Sequence, residues 1–139
     1  MSETRQRMVV TPEEVSLGFA RAVSAGDLEA ASGFFAEDAR FLMADGQVIE
    51  GRAAIREVLR VLLANQPKMS VEIERMIETA RGAVGSERWT MSLEGAAGEE
   101  PIEQSGRSTV VFARAGAGWE ILIDAPWGLS PPARRFNRS

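Results

Sequence analysis

Near residue 66 the apolar periodicity of this chain changes from helical to alternating, and that switch constrains the fold more than any other feature. Before it, apolar residues recur three and four positions apart; after it, they recur every second position. Thr11-Pro12-Glu13-Glu14 predicts a helix start, with Thr as N-cap, Pro in the first turn and Glu at the capping-box position. Val15, Gly18, Phe19, Ala22 and Val23 follow at helical spacing until Gly26. Asp27 caps a second, short helix carrying Leu28, Ala31, Phe34 and Phe35. Residues 40–43 and 47–49 then flank Asp45-Gly46, a hairpin-turn signal. Gly51 opens a third helix whose apolar stripe is Ile55, Val58, Leu59, Leu62 and Leu63. Arg52, Arg56, Glu57 and Arg60 occupy its wet face, and Asn65-Gln66-Pro67 ends it.

Beyond Pro67 the pattern predicts four strands. Val71, Ile73 and Ile77 alternate with Glu72, Glu74 and Glu78 in the first; residues 84–93, 107–114 and 119–125 form the others. Residues 95–106 read as an acidic connection, and Ala115-Gly116-Ala117-Gly118 as the tight turn of an antiparallel hairpin. Helices followed by strands give an α+β fold. A long antiparallel sheet, strongly curved over the three N-terminal helices, leaves a cavity between the layers. The expected organisation is a flexible N-terminus over 1–10, one domain over 11–130, and a basic C-terminal tail over 131–139.

Several chemistries are closed to such a chain. It has no Cys, His or Tyr, and Lys68 is its one lysine. Disulfides, thiolate or histidine metal sites, and His-assisted Ser or Cys nucleophiles are therefore excluded, and no Gly-Lys-Ser/Thr phosphate loop occurs. No metal site and no cofactor are expected. The net charge of −4 argues against a nucleic-acid partner. No apolar run reaches the roughly 18 residues of a membrane span, and Met1 to Arg7 lack the apolar core of a signal peptide, so no membrane partner and a cytoplasmic location are expected.

Ala25-Gly26-Asp27-Leu28-Glu29-Ala30, Phe35-Ala36-Glu37-Asp38-Ala39, Gly51-Arg52-Ala53-Ala54-Ile55-Arg56 and the closing segment 119–127 carry a further signal. Together with the element order, they make the chain resemble the nuclear transport factor 2-like superfamily, the cone fold of ketosteroid isomerases and SnoaL-like proteins. The resemblance covers roughly residues 12–127 and implies three N-terminal helices packed in the concave face of a strongly curved, mixed, mostly antiparallel sheet, a cone-shaped α+β barrel. It is specific for fold and weak for function, since one fold hosts isomerases, cyclases, hydrolases and non-enzymatic dimers. The isomerase roles implied by it fall on residues without the chemistry: the tyrosine on Phe19, the aspartate base on Met43, and the second acid on or near Val110. Ketosteroid isomerase activity is therefore not expected. Epoxide hydrolases of this fold use an Asp-Arg-Asp set; their last-strand aspartate falls near Ala125, one residue from Asp124. A one-residue slip would turn Asp124 inward.

The family register implies a pocket lined by Phe19, Phe41, Met43, Trp89, Val110, Phe112, Ile123 and Trp127. It suits an apolar or polycyclic small molecule, or is a plain core filled by its own side chains. Trp89 has a sheet-packing reading beside the pocket one, and Lys68, the one amine available to a Schiff base, reads as solvated. Asp124 is the candidate catalytic residue. A regular hairpin opposes Thr109 to Asp124 and makes Arg107 its diagonal neighbour. That places the two as an ion pair on the convex face, or as a base held ionised by its partner. Thr109, Val111, Ala113 and Leu122 then face outward and are small or apolar, so a homodimer through the sheet is expected. Two functions stand: a small-molecule protein acting as a cofactor-independent isomerase, cyclase or hydrolase, or a non-catalytic dimeric binding or assembly module.

Overall fold

The computed structural model describes residues 11–95 and 97–130; the expected N-terminal segment and basic tail lie outside them. Helix α1 (Pro12–Ser24) begins where Thr11 Oγ1 accepts the Glu14 N–H at 3.1 Å, and proline occupies its first turn. It buries Val15, Phe19 and Val23. Asp27 caps α2 (Leu28–Gly33) by accepting the Ala30 N–H at 3.0 Å. This helix is shorter than its sequence pattern predicts. Phe34 caps it, and Phe35 begins strand β1 (Phe35–Leu42). The Phe34 carbonyl accepts the Ile121 N–H at 2.8 Å, and its ring fills the notch at Gly18, where an added Cβ would stand 2.8 Å from the ring. Phe35, fully buried, meets Phe19 edge-on at 5.5 Å.

Strand β2 (Val48–Glu50) pairs antiparallel with β1, and α3 (Arg52–Leu63) buries Ile55 and Leu59 against the sheet as its stripe requires. Four long strands complete the sheet: β3 (Lys68–Glu78), β4 (Gly82–Leu93), β5 (Ile102–Ala115) and β6 (Gly118–Ala125). Strand β5 thus begins inside the segment read as a connection, because 102–106 find partners along β4. The order is β2-β1-β6-β5-β4-β3, with β1 and β6 parallel and the other pairs antiparallel. This is the mixed α+β cone. Among the described residues no helix is long and apolar enough to cross a membrane.

Of three register shifts among the described residues of the sheet, one lies between Phe35 and Arg40 where β1 pairs with β6, and the other two decide which side chains of β3 and β6 face inward. On β3 the register shifts between Ile73 and Arg75, so Met76 turns in and Ile77 turns out, 56% exposed. Met76 reaches the space left by Gly85, where an added Cβ would lie 2.9 Å from its Cε. The second shift lies between β5 and β6. Phe112 pairs with Ile121 but Val111 with Ile123, leaving Leu122 as the extra residue. Beyond it Val110, not Thr109, faces Asp124. The regular hairpin expected from sequence is therefore wrong by one residue over its second half: Ile123 points outward and Asp124 inward.

Candidate active site in the cone

A cavity of about 350 Å³ lies between the helices and the concave sheet, a volume in the small-molecule range. The sequence-expected residues Phe19, Phe41, Met43, Trp89, Val110 and Trp127 line it. Two others do not. Phe112 belongs to the hydrophobic core, and Ile123 lies on the outer face because of the β6 bulge. Helix α3 adds Val58 and Leu62, whose partial exposure is exposure to this space. The exposed lining residues Ala44, Gln104 and Trp127 mark the mouth; the buried Ser16, Glu87 and Asp124 mark the deep end.

Trp89 packs on the sheet and borders the cavity. Its ring covers Gly106, where a Cβ would come within 2.8 Å of it, and its Nε1 donates to the Pro126 carbonyl at 2.7 Å. That bond holds the segment after β6 beside β4. Trp127 consequently stands edge-on to Trp89 at 5.0 Å, forming one wall of the mouth.

Asp124 is 7% exposed and flanked by Val110 on β5 and Phe41 on β1. Among the described residues its carboxyl has no hydrogen-bond partner. Burial, and secondarily the charge of Glu87, raises its pKa from the ordinary 3.8 to about 7. Glu87, 4% exposed, accepts a very short hydrogen bond from the Ser16 hydroxyl of α1. Burial pushes its carboxyl up, partly offset by that hydroxyl. Glu87 and Asp124 stand on either side of β5, with Ser108 facing Glu87 and Val110 facing Asp124. In this largely apolar space burial and the Glu87 charge oppose the ionisation of Asp124, which is how acids are tuned to hold or release protons near neutral pH.

The expected Arg107–Asp124 pair does not exist. Arg107 lies on the outer face, where its Nε and Nη2 donate to the Glu74 carboxylate at 2.8 and 3.1 Å. Arg88 donates to the same group at 3.0 Å. The Arg107 hydrogen bond, more than the charges of either arginine, holds the Glu74 carboxyl below its usual value. Lys68 is outside the cavity, donating to the Ser24 carbonyl at 3.0 Å. Glu87 was missed by sequence reasoning although a signal existed: it shares strand parity with Trp89 and Met91, so an inward Trp89 carries Glu87 inward too.

The fold and site bear comparison with known proteins. A SnoaL-like domain model matches residues 17–121. No curated protein matches the chain in sequence. Among solved structures, an NTF2-like protein with a cystatin-like fold from Novosphingobium aromaticivorans is similar with TM-score 0.69 and 19% identity, covering 88% of this chain and 84% of that one. A candidate dehydratase of the NTF2-like family from Streptomyces avermitilis gives TM-score 0.69 at 17% identity, covering 81% and 91%. A candidate calcium/calmodulin-dependent protein kinase type II association domain from Thiobacillus denitrificans gives 0.69 at 19%, covering 85% and 96%. Identities this low speak for the fold alone. With the family model spanning most of its length, the chain belongs to the SnoaL-like domain family, and its cone has the fold of the NTF2-like structures.

Proposed function

We propose that this protein binds an apolar small molecule in the cone and moves a proton on it, as a cofactor-independent isomerase, dehydratase or hydrolase. The observation that carries this reading is Asp124: a buried carboxyl in the cavity wall with no hydrogen-bond partner among the described residues. A carboxyl that opens onto an apolar cavity with its pKa raised by burial is a mark of a functional site. Poised near neutrality, Asp124 gives a proton to a substrate oxygen when neutral and removes one from carbon or water when ionised. Burial sets that balance first, and the charge of Glu87, oriented by Ser16, adds to it.

The test is proton exchange. The full chain, incubated in D2O with a panel of apolar ketones, is expected to deuterate the carbon beside the carbonyl, and Asp124→Asn to slow this by about 10²–10⁴-fold. Equal rates in the variant would remove Asp124 from catalysis.

The second reading, a dimeric binding module, is favoured by the outer face. Ile77, Val84, Val111 and Ile123 are successive cross-strand partners over β3, β4, β5 and β6, forming one apolar row on the convex side. We propose a second copy of the chain as its cover, in a two-fold sheet-to-sheet contact that would need to bury at least about 1,000 Å² in total. Light scattering at micromolar concentration should report twice the chain mass, and Val84→Glu should halve it. A single-chain mass that does not change on concentrating would contradict the dimer.

A further inference from the structure

The wall of the cavity holds two carboxyl side chains and, among the described residues, neither lysine nor arginine. Nearby cations are committed elsewhere. Arg88 and Arg107 serve Glu74 on the outer face, Arg52 donates to the Phe35 carbonyl, and Lys68 to that of Ser24. Glu87 has one hydroxyl for a partner, and Asp124 has none. Such a wall disfavours a carboxylate or phosphate guest, which would add negative charge to a buried acidic pair. It favours a guest that brings the missing positive charge, because a buried charge is tolerated chiefly when paired. Phe19, Phe41, Trp89 and Trp127 border the same space, and aromatic faces attract cations as well as hydrocarbon.

We propose that the occupant is an apolar molecule carrying one protonated amine, seated with its ammonium between Glu87 and Asp124 and its hydrocarbon body along the aromatic wall toward Trp127. This rests on the small-molecule reading of the cavity and names the class of molecule. Glu87, oriented by Ser16, is the anchor for the ammonium. A cation there offsets the Glu87 charge felt by Asp124, so Asp124 releases its proton: its O–H bond breaks and the proton passes to solvent as the ion pair forms. The amine therefore binds best when Asp124 is ionised. No other titratable group among the described lining residues faces the pair; Ser16 from α1 and Ser108 from β5 are the polar neighbours.

The experiment compares three probes of one shape on the full chain: naphthylethylamine, naphthylethanol and naphthylacetate, followed by quenching of the cavity tryptophans and by displacement of an apolar dye. At neutral pH the amine should bind about tenfold or more tightly than the alcohol, with the carboxylate weakest. Near pH 5, where the aliphatic amine is still charged but Asp124 is protonated, the amine should lose about tenfold or more while the alcohol holds. Glu87→Gln should bring the amine down to the alcohol's affinity. An alcohol that matches the amine, or a carboxylate that outbinds both, overturns the amine assignment and leaves the small-molecule cavity standing. If none of the three binds and the dye finds no site, the cavity reading itself fails, and the amine with it.

Discussion

Asp124→Asn is expected to melt well above the wild type at pH 8, and the advantage to vanish toward pH 4. The Asp124 carboxyl is raised from 3.8 to about 7 in the folded chain by burial and by the Glu87 charge. Between those two values the folded state keeps a proton that the unfolded chain gives up. Folding stability is therefore greatest below the unfolded value, falls as pH rises through the window, and levels off above about 7. Each pKa unit corresponds to about 1.4 kcal/mol, so the full loss is on the order of 4 kcal/mol. For a domain of this size that is a shift in Tm of order 10 °C. The amide keeps the shape and cannot ionise, so it removes the Asp124 share of the slope. Glu87, also raised, leaves a residual slope of the same sign. Thermal melts of both proteins across pH 4 to 8 check this. A flat wild-type profile would mean that the Asp124 carboxyl is hydrated or paired. The same substitution should slow proton transfer by about 10²–10⁴-fold, so stability and activity move in opposite directions, as expected where a destabilising polar group is kept for function.

Trp89→Ala is expected to be the most damaging single change in the site. The ring is 6% exposed, covers Gly106, meets Trp127 edge-on and bonds the Pro126 carbonyl through Nε1. Truncating a buried tryptophan costs roughly 3–5 kcal/mol. Here it also frees the segment after β6, so Trp127 should move into solvent and its emission shift to the red. Apolar dye binding should be lost with it. Trp89→Phe keeps the aromatic wall and leaves the Pro126 carbonyl without its donor, a smaller loss of about 1 kcal/mol. Urea unfolding of the two variants separates packing from hydrogen bond. A Trp89→Ala protein with wild-type stability and dye affinity would show that the wall does not depend on this ring.

The three helices and the strand-rich second half were legible in sequence because their signals are local. Thr11 and Asp27 cap helices whichever way the chain later packs, and the Ile55–Leu59–Leu62 stripe needs an apolar surface of any kind. The end of α2 was not legible. Phe34 and Phe35 continue its apolar spacing, and only partners distant in sequence end it: the Phe34 carbonyl accepts the Ile121 N–H and Phe35 pairs with Ile121 in the sheet. The site turned on a similar non-local choice. Ile121-Leu122-Ile123 is apolar at every position, so no alternation marks where β6 admits an extra residue. The bulge there exchanges faces for everything after it, sending Ile123 out and Asp124 in. Sequence by itself thus determined the helices, the strands and their order, since period and capping act within a few residues, while the aromatic lining was legible only through the family resemblance. Tertiary structure alone decided which acids face the cavity, because strand register depends on pairing across the sheet, and a one-residue bulge reverses side-chain direction without changing any residue.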